Sequence, residues 1–250
     1  MTAALIELDS VSKEYALGES QVLALDSVSL RIGAGEFATI WGPSGSGKST
    51  LLNLIGLIDQ PSRGAVRIEG QETQSLSDRA LTDIRFRTLG FVFQNYNLVP
   101  VLSALENVML PLQIHGVPEK EARTKAETLL EAVGLSPQRD SRPDKMSGGQ
   151  RQRVAVARAL VTDPRIVLAD EPTANLDSRT SQVIIDLMRD LNRSRGVTFV
   201  FSTHDQQLLD HVDRHIHLRD GKITEDRSSA STPAKTVLKL YKRADGTEST

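Results

Sequence analysis

Nine consecutive residues have the types and spacing needed to bind phosphate. They are Gly42, Pro43, Ser44, Gly45, Ser46, Gly47, Lys48, Ser49 and Thr50. The glycines let the backbone turn sharply, so that its N–H groups can approach phosphate oxygens. Lys48 can supply a point charge for a nucleotide's β- and γ-phosphates, and the Ser49 hydroxyl can bind Mg²⁺. The apolar run 37–41 before the loop and the helical pattern 51–57 after it provide the strand and helix that this motif requires.

Two adjacent carboxylates follow a second apolar run, 166–169, which is typical of a buried strand. In a nucleotide-binding α/β protein, a carboxylate at a strand end beside the phosphate loop holds Mg²⁺, and this predicts the role of Asp170. Glu171 would then face the terminal phosphate and polarise the attacking water. The alternative is a salt-bridged pair on the surface, which the preceding apolar run disfavours.

A Ser-Gly-Gly-Gln sequence precedes a strong helical pattern at 151–160. Ser147 and Gln150 have the spacing of a capping box, which alone would explain both residues. A cap does not require the two adjacent glycines Gly148 and Gly149. These glycines can expose the helix N-terminal amides to a group that must come close, such as a phosphate.

In order along the chain, these motifs resemble those of the ATP-binding-cassette family, from Leu5 to about Glu225. MSGGQ resembles the family signature, with Met146 where leucine is usual. Tyr15 matches the aromatic residue that stacks on adenine, and Gln94 matches the glutamine of a flexible loop. His204 matches the switch histidine that contacts the γ-phosphate, and Asp177 belongs to the loop after the magnesium strand.

The resemblance implies a site shared by two chains. Two cassettes would pack head to tail as a homodimer, with ATP and Mg²⁺ held at their interface. Ser147 and Gly149 would then reach the nucleotide of the other subunit. The implied catalytic residues are Glu171, His204 and Gln94; the nucleotide contacts are Tyr15, residues 42–50, residues 147–150 and Asp177; the Mg²⁺ ligands are Ser49, Gln94 and Asp170.

Within the family, the segments 15–25, 90–100 and 105–112 resemble the lipoprotein-releasing and macrolide- or peptide-exporting group (LolD and MacB). This resemblance implies an ATPase subunit on the cytoplasmic face of the inner membrane that drives a separate permease. Tyr96, Leu98 and Val99 could contact that permease, or they could pack locally in the core. The alternative function is a soluble cassette ATPase without a permease, for example in cluster assembly. Such relatives typically carry tandem cassettes, long coiled coils or zinc insertions, and the sequence shows none of these.

Strands that alternate with helices predict a largely parallel sheet covered by helices. Together with the resemblance, this gives an α/β fold of the P-loop NTPase type, with a RecA-like core on a mixed sheet, an antiparallel β subdomain and an inserted helical subdomain at about 95–161. The predicted ATPase domain covers residues 1–225, and a linker and tail cover residues 226–250. Tyr15 is expected in a polar loop between two strands, 5–11 and 22–32.

Composition limits the classes of partner. The 250-residue chain is 39% hydrophobic and 25% charged, and its net charge of −2 disfavours nucleic acid as a partner. There are no cysteines, so disulfides are excluded. We expect no signal peptide and no membrane span, because no long apolar run is present. A zinc site at His211, His215 and His217 is disfavoured, since no cysteine or suitably spaced carboxylate pair accompanies them.

Overall fold

The computed structural model describes residues 4–18 and 20–228. The strands are β1 (Ala4–Leu17), β2 (Ser20–Gly33), β3 (Phe37–Trp41), β4 (Arg63–Ile68), β5 (Gln71–Glu72), β6 (Leu89–Val92), β7 (Ile166–Ala169), β8 (Thr198–Thr203), β9 (Arg214–Arg219) and β10 (Lys222–Ser228). The α-helices are α1 (Lys48–Ile55), α2 (Asp78–Thr88), α3 (Ala104–Ile114), α4 (Glu119–Ala132), α5 (Gly148–Leu160) and α6 (Ser178–Arg195). Short 3₁₀ turns cover Ser136–Gln138, Pro143–Lys145 and Gln206–His211.

The strands form two sheets. One is antiparallel, with the order β2-β1-β4-β5. The other has the order β10-β9-β3-β8-β7-β6 and is parallel except for the β9–β10 pair. This arrangement confirms the predicted α/β class, with a mixed sheet and a separate antiparallel sheet.

Alternation along the central strands divides the core between the two faces of the large sheet. On one face, Phe37 packs against Phe199 and Phe201, with ring centroids 5.8 and 5.4 Å apart, in a cluster that includes residues of α5 and α6. On the other face, Ile40 and Val200 join a cluster with α1 and the antiparallel sheet. The strands β3, β7 and β8 are therefore packed on both faces of the sheet.

Helices α3, α4 and α5 lie between β6 and β7 in the chain, within the range assigned to the helical subdomain. Their apolar residues belong to the same buried cluster as Phe37. Helix α3 begins with a full capping box, in which Ser103 accepts the Glu106 N–H and the Glu106 carboxylate accepts the Ser103 N–H. The inserted helices therefore share the core of the sheet that they interrupt.

Two expectations about boundaries were wrong. Tyr15 lies in strand β1, paired with Val22, and not in a loop. Irregularities in the β1–β2 register near Val11 and Lys13 disturb the alternation by which this part of the strand would be recognised. Residues 226–228, expected in the linker, belong to β10, whereas the predicted tail at 229–250 lies outside the described residues.

Candidate nucleotide-binding site

The predicted phosphate loop leaves β3 and opens α1, as its sequence requires. Gly42 and Gly47 have φ angles of 155° and 102°. A Cβ atom at Gly42 would collide with the carbonyl oxygen of Leu218, and one at Gly47 would lie 2.5 Å from the carbonyl oxygen of Ala24. Only glycine fits at these two positions, so the loop can keep the tight path that turns its amides inward.

The polar groups of the loop suit a bound nucleotide with Mg²⁺. Buried Lys48 donates from Nζ to the carbonyl oxygens of Gly42 and Pro43, at 2.9 and 2.8 Å, so its charge is held over the loop. The buried hydroxyl oxygen of Ser46 has no hydrogen-bond partner among the described residues. Ser49 Oγ lies 3.1 Å from Asp170 Oδ1, and this hydroxyl–carboxylate pair is the kind of oxygen ligand set that Mg²⁺ prefers. The residues present therefore fit a phosphate chain and its metal ion.

Three predicted residues meet at the carboxyl ends of the parallel strands, where α/β proteins bind their ligands. Asp170 and Glu171 follow β7, and His204 follows β8. His204 Nδ1 lies 3.1 Å from Glu171 Oε1, and the histidine side chain is mostly exposed while the carboxylate is largely covered. The arrangement pairs a carboxylate with an imidazole beside the metal-ligand pair.

The Tyr15 side chain is held by two charged neighbours. Its hydroxyl donates to Asp59 Oδ2 at 2.8 Å, and Lys13 Nζ lies 4.9 Å from the ring centroid and 2.6 Å from Asp59 Oδ1. Burial, together with the bond to Asp59, raises the pKa of the Tyr15 phenol. Burial would also raise the pKa of Asp59, but the bonds from Lys13 and Tyr15 outweigh it and hold that pKa below its usual value.

Gln94 is exposed and follows β6. Its carbonyl oxygen accepts a hydrogen bond of 3.0 Å from Asn175 Nδ2, which also donates to Asn95 Oδ1 at 3.2 Å. The loop after β6 is therefore joined to the loop after β7. This connection places the Gln94 backbone beside the segment that carries the two carboxylates.

The capping box predicted at the start of α5 is present. Ser147 Oγ accepts the Gln150 N–H at 3.2 Å, and Gln150 Oε1 accepts the Ser147 N–H at 2.8 Å. The glycines between them also have a packing role, which the sequence did not reveal. A Cβ atom at Gly149 would lie 2.6 Å from Thr180 Cγ2, and one at Gly148 would lie 3.0 Å from Leu176 Cδ2. Helix α5 can therefore approach the 176–180 segment closely, while Ser147 stays exposed.

Asp177, predicted as a nucleotide contact, is the N-cap of α6. Its carboxylate accepts the N–H of Thr180 at 3.0 Å and the Thr180 hydroxyl at 2.6 Å. These bonds lower the pKa of Asp177, with the hydroxyl bond contributing most. A local structural role therefore explains this residue within the single chain.

Arg158 is a residue that the sequence analysis missed. Its guanidinium donates to the carbonyl oxygens of Asn97 and of Tyr96, the latter at 2.8 Å, and burial lowers its pKa. Tyr96 and Asn97 both have positive φ, 61° and 47°, so Arg158 closes an unusual turn just after Gln94. Tyr96 itself is buried in the main core cluster, as the local-packing alternative anticipated.

The three clustered histidines do not converge. His211 Nδ1 lies 3.0 Å from Gln182 Nε2, whereas the His217 ring stacks on Trp41 with centroids 4.0 Å apart. Across residues 4–18 and 20–228, no group of three His, Cys, Asp or Glu side chains is placed to hold a metal ion. In the same ranges, no helix is both long and apolar enough to cross a bilayer.

Comparison with known proteins identifies the family to which this geometry belongs. Residues 25–174 match the family model described as ABC transporter. The chain belongs to the ABC transporter family. The cassette is accordingly an ATPase that binds and hydrolyses ATP, and the resemblance recognised in its motifs is confirmed.

Individual relatives of the cassette agree with this assignment. The lipoprotein-releasing system ATP-binding protein LolD of Anaeromyxobacter dehalogenans is 49% identical over 222 residues, which cover 88% of this chain and 93% of LolD. The macrolide export ATP-binding/permease protein MacB of Chlorobaculum tepidum is 46% identical over 223 residues, covering 89% of this chain but only 34% of MacB. The dimeric post-hydrolysis structure of the cassette MJ0796 with ADP and Pi superposes with a TM-score of 0.83 at 44% identity, covering 91% of this chain and all of that one.

Proposed function

We propose that this cassette is the energy-supplying subunit of an export or extraction transporter. It hydrolyses ATP at the interface of a head-to-tail homodimer and transmits the resulting movement to a separate membrane permease. It therefore works at the cytoplasmic face of the inner membrane, held there by the permease. The similarity to LolD and MacB supports a cargo that is extracted from, or expelled across, that membrane.

The residues of one chain supply most of the chemistry. The loop amides and Lys48 hold the β- and γ-phosphates, and Ser49 and Asp170 hold Mg²⁺. Glu171 accepts a proton from the attacking water, and His204, hydrogen-bonded to it, orients that carboxylate toward the terminal phosphate. Bound Mg²⁺ would neutralise the charge on the phosphate oxygens. Gln94, in the loop after β6, would supply its side-chain oxygen to the same Mg²⁺.

The remaining donors come from the second subunit. Ser147 lies exposed at the N-terminus of α5, where unpaired helix amides favour an anion. When two copies pack head to tail, the N-terminus of α5 in each copy would close over the ATP of the other. The two contacts would therefore be reciprocal. The dimeric state of the MJ0796 cassette supports this arrangement. Hydrolysis cleaves the terminal phosphate from ADP, and its release as Pi removes the charge that joins the subunits and so allows them to separate.

One observation supports the permease part of the proposal. A groove of about 370 Å³ lies between α2, β6 and α3, beside the loop that carries Gln94. Much of its wall is apolar, formed by Phe86, Leu89, Phe91, Phe93, Leu110, Pro111, Ile114 and Ala159. Ile114 is 72% exposed, so its apolar side chain is accessible to a partner. A short amphipathic helix of a permease fits such a groove by burying its apolar side there.

The groove can be tested by comparing two single substitutions. Ile114→Asp places a charge on the groove wall, whereas Ile58→Asp places one at a different exposed isoleucine, which is 52% exposed. Each tagged variant is expressed in the native cells and purified from a detergent extract, and its basal ATPase rate is measured alone. We expect wild type and Ile58→Asp to retain a stoichiometric integral membrane protein that raises the ATPase rate. We expect Ile114→Asp to lose this protein while keeping its basal rate.

Two results would contradict the proposal. Recovery of only water-soluble partners by the wild type would favour a cassette ATPase that acts without a permease. Equal retention of the membrane protein by both variants would leave the permease in place but exclude this groove as its docking site.

A further inference from the structure

Ser202 is a fully buried serine whose hydroxyl lies between the two carboxylates of the site. It occupies the second-to-last position of β8. Strand β8 runs parallel to β7, with Phe201 paired to Ala169, so Ser202 stands level with Asp170. A fully buried serine costs free energy unless its hydroxyl is hydrogen-bonded.

The hydrogen bonds of this hydroxyl have only one possible arrangement. Glu171 N–H can only donate, and it lies 2.8 Å from Ser202 Oγ. Asp170 Oδ1 lies 2.6 Å from the same oxygen and accepts the hydroxyl proton. The hydroxyl therefore accepts from the Glu171 backbone and directs its own proton to Asp170. A single side chain fixes the position of both residues.

Both bonds act on residues that directly follow β7. Glu171 has a φ of 44°, a left-handed conformation that costs free energy in any residue except glycine. The bond from its N–H to Ser202 helps to offset that cost. Asp170 Oδ1 also receives the Ser49 hydroxyl at 3.1 Å, a longer bond than the 2.6 Å bond from Ser202. Ser202 therefore makes the shorter of the two hydroxyl bonds to this carboxylate oxygen.

A purely structural role would look different. Thr39, equally buried on the neighbouring strand β3, uses its hydroxyl on the carbonyl oxygen of Phe201, at 3.1 Å. That bond joins strand to strand and contacts neither carboxylate. The Ser202 hydroxyl is instead bonded to the predicted metal ligand and to the predicted catalytic residue.

We propose that Ser202 is a positioning residue for ATP hydrolysis, which orients the Asp170 carboxylate toward Mg²⁺ and fixes the backbone position from which the Glu171 carboxylate reaches the attacking water. This inference rests on the proposed roles of those two residues. It deepens the proposed mechanism by adding a residue outside the family-like motifs on which those roles are based.

The test compares Ser202→Ala with Thr39→Val, each of which removes one buried hydroxyl. Binding of a non-hydrolysable ATP analogue to the purified cassette is measured by calorimetry, once with saturating Mg²⁺ and once with EDTA. Bonds to charged groups are strong, so we expect Ser202→Ala to lose about 10-fold of the affinity that Mg²⁺ adds. Binding in EDTA should stay at the wild-type level, and kcat should fall about 10-fold. Thr39→Val should match wild type in all three measurements.

An unchanged magnesium-dependent gain in Ser202→Ala would overturn the proposal, whatever happens to kcat. If Ser202→Ala does not fold, Ser202→Thr and Ser202→Val give a second comparison of nearly equal volume, in which only threonine keeps the hydroxyl. The proposal then requires the larger magnesium gain in the threonine variant, and equal gains would refute it. If wild type itself gains no affinity from Mg²⁺, it is the assignment of Asp170 and Ser49 as metal ligands that fails.

Discussion

His204 lies against the carboxylate of Glu171, with Nδ1 3.1 Å from Oε1. The two residues come from different loops, 33 positions apart in the chain, and meet only because β7 and β8 are adjacent and parallel. The bond holds the carboxylate in one orientation while leaving the histidine mostly exposed. The contact therefore connects the carboxylate that we propose as the proton acceptor to a largely exposed histidine side chain.

Glu171→Gln should reduce ATP turnover by about 10²–10⁴-fold, because the amide cannot accept the proton of the attacking water. ATP binding should survive, since the phosphate loop is untouched. Phosphate release and equilibrium binding measure the two effects separately. Glu131→Gln, the same change on an exposed residue of α4, is the control. Turnover near the wild-type rate in Glu171→Gln would show that another group activates the water.

Two substitutions separate the contribution of the Tyr15 ring from that of its hydroxyl. Tyr15→Phe loses the bond to Asp59 but keeps the aromatic face, whereas Tyr15→Ala loses both. If the ring stacks on adenine, Tyr15→Ala should weaken ATP binding by on the order of 10-fold or more, and Tyr15→Phe should bind nearly as well as wild type. Calorimetric titration with ATP distinguishes them. Equal weakening in both variants would mean that the hydroxyl, and not the ring, supports the site.

Gly149 could be required for close packing against Thr180 or for close approach to the ATP of the other subunit. A double substitution separates these two roles. Gly149→Ala must displace Thr180 Cγ2, so we expect it to lower the free energy of unfolding by about 1–3 kcal/mol. Adding Thr180→Ser removes that methyl group but keeps the hydroxyl that bonds Asp177, and should restore most of the stability.

Turnover should nevertheless stay low in the Gly149→Ala/Thr180→Ser protein, because the added methyl group still obstructs the ATP of the other subunit. ATP affinity of the monomer should be unchanged. Urea unfolding measures the stability, ATPase assays measure the turnover and equilibrium binding measures the ATP affinity, with Thr180→Ser alone as the control. Recovery of turnover together with stability would indicate that Gly149 serves only the packing of α5 against the 176–180 segment.

Asp59 should make stability depend on pH in the acid range. Its pKa is lower in the folded chain than in the unfolded one, so its stabilising effect is complete above the unfolded pKa of about 4 and is lost as pH falls through the folded value. Asp59→Asn should therefore be less stable than wild type at pH 7, with a difference that shrinks on acidification. Urea unfolding across this range tests it against Asp140→Asn, whose side chain is 82% exposed. If the stability difference between Asp59→Asn and wild type did not change with pH, the pKa of Asp59 would not be lowered by folding.

Much of the site could be predicted because its residues follow strands of one parallel sheet. The carboxyl ends of parallel strands share an edge, so motifs after 37–41 and 166–169 had to lie close together. The same argument brings His204 to Glu171. Short apolar runs flanked by glycine or by charged residues were sufficient to identify those strands.

The remaining features depend on contacts that local patterns do not contain. The bulged register hid the extension of β1 to Tyr15. From the sequence, Ser202 is recognised only as the end of a buried strand. Its position beside Asp170 depends on the register between β7 and β8. Arg158 is separated by about 60 residues from the turn that it closes, and no spacing rule connects them.

Helix α5 is a continuous, stiff connection between two distant parts of the cassette. Ser147 caps one end, and Arg158, about 15 Å further along, grips the turn at Tyr96 and Asn97 beside the groove. An α-helix resists stretching and bending far better than a loop does. A displacement of that turn by a docked partner would therefore reach the Ser147 end along the helix axis, without crossing a loop.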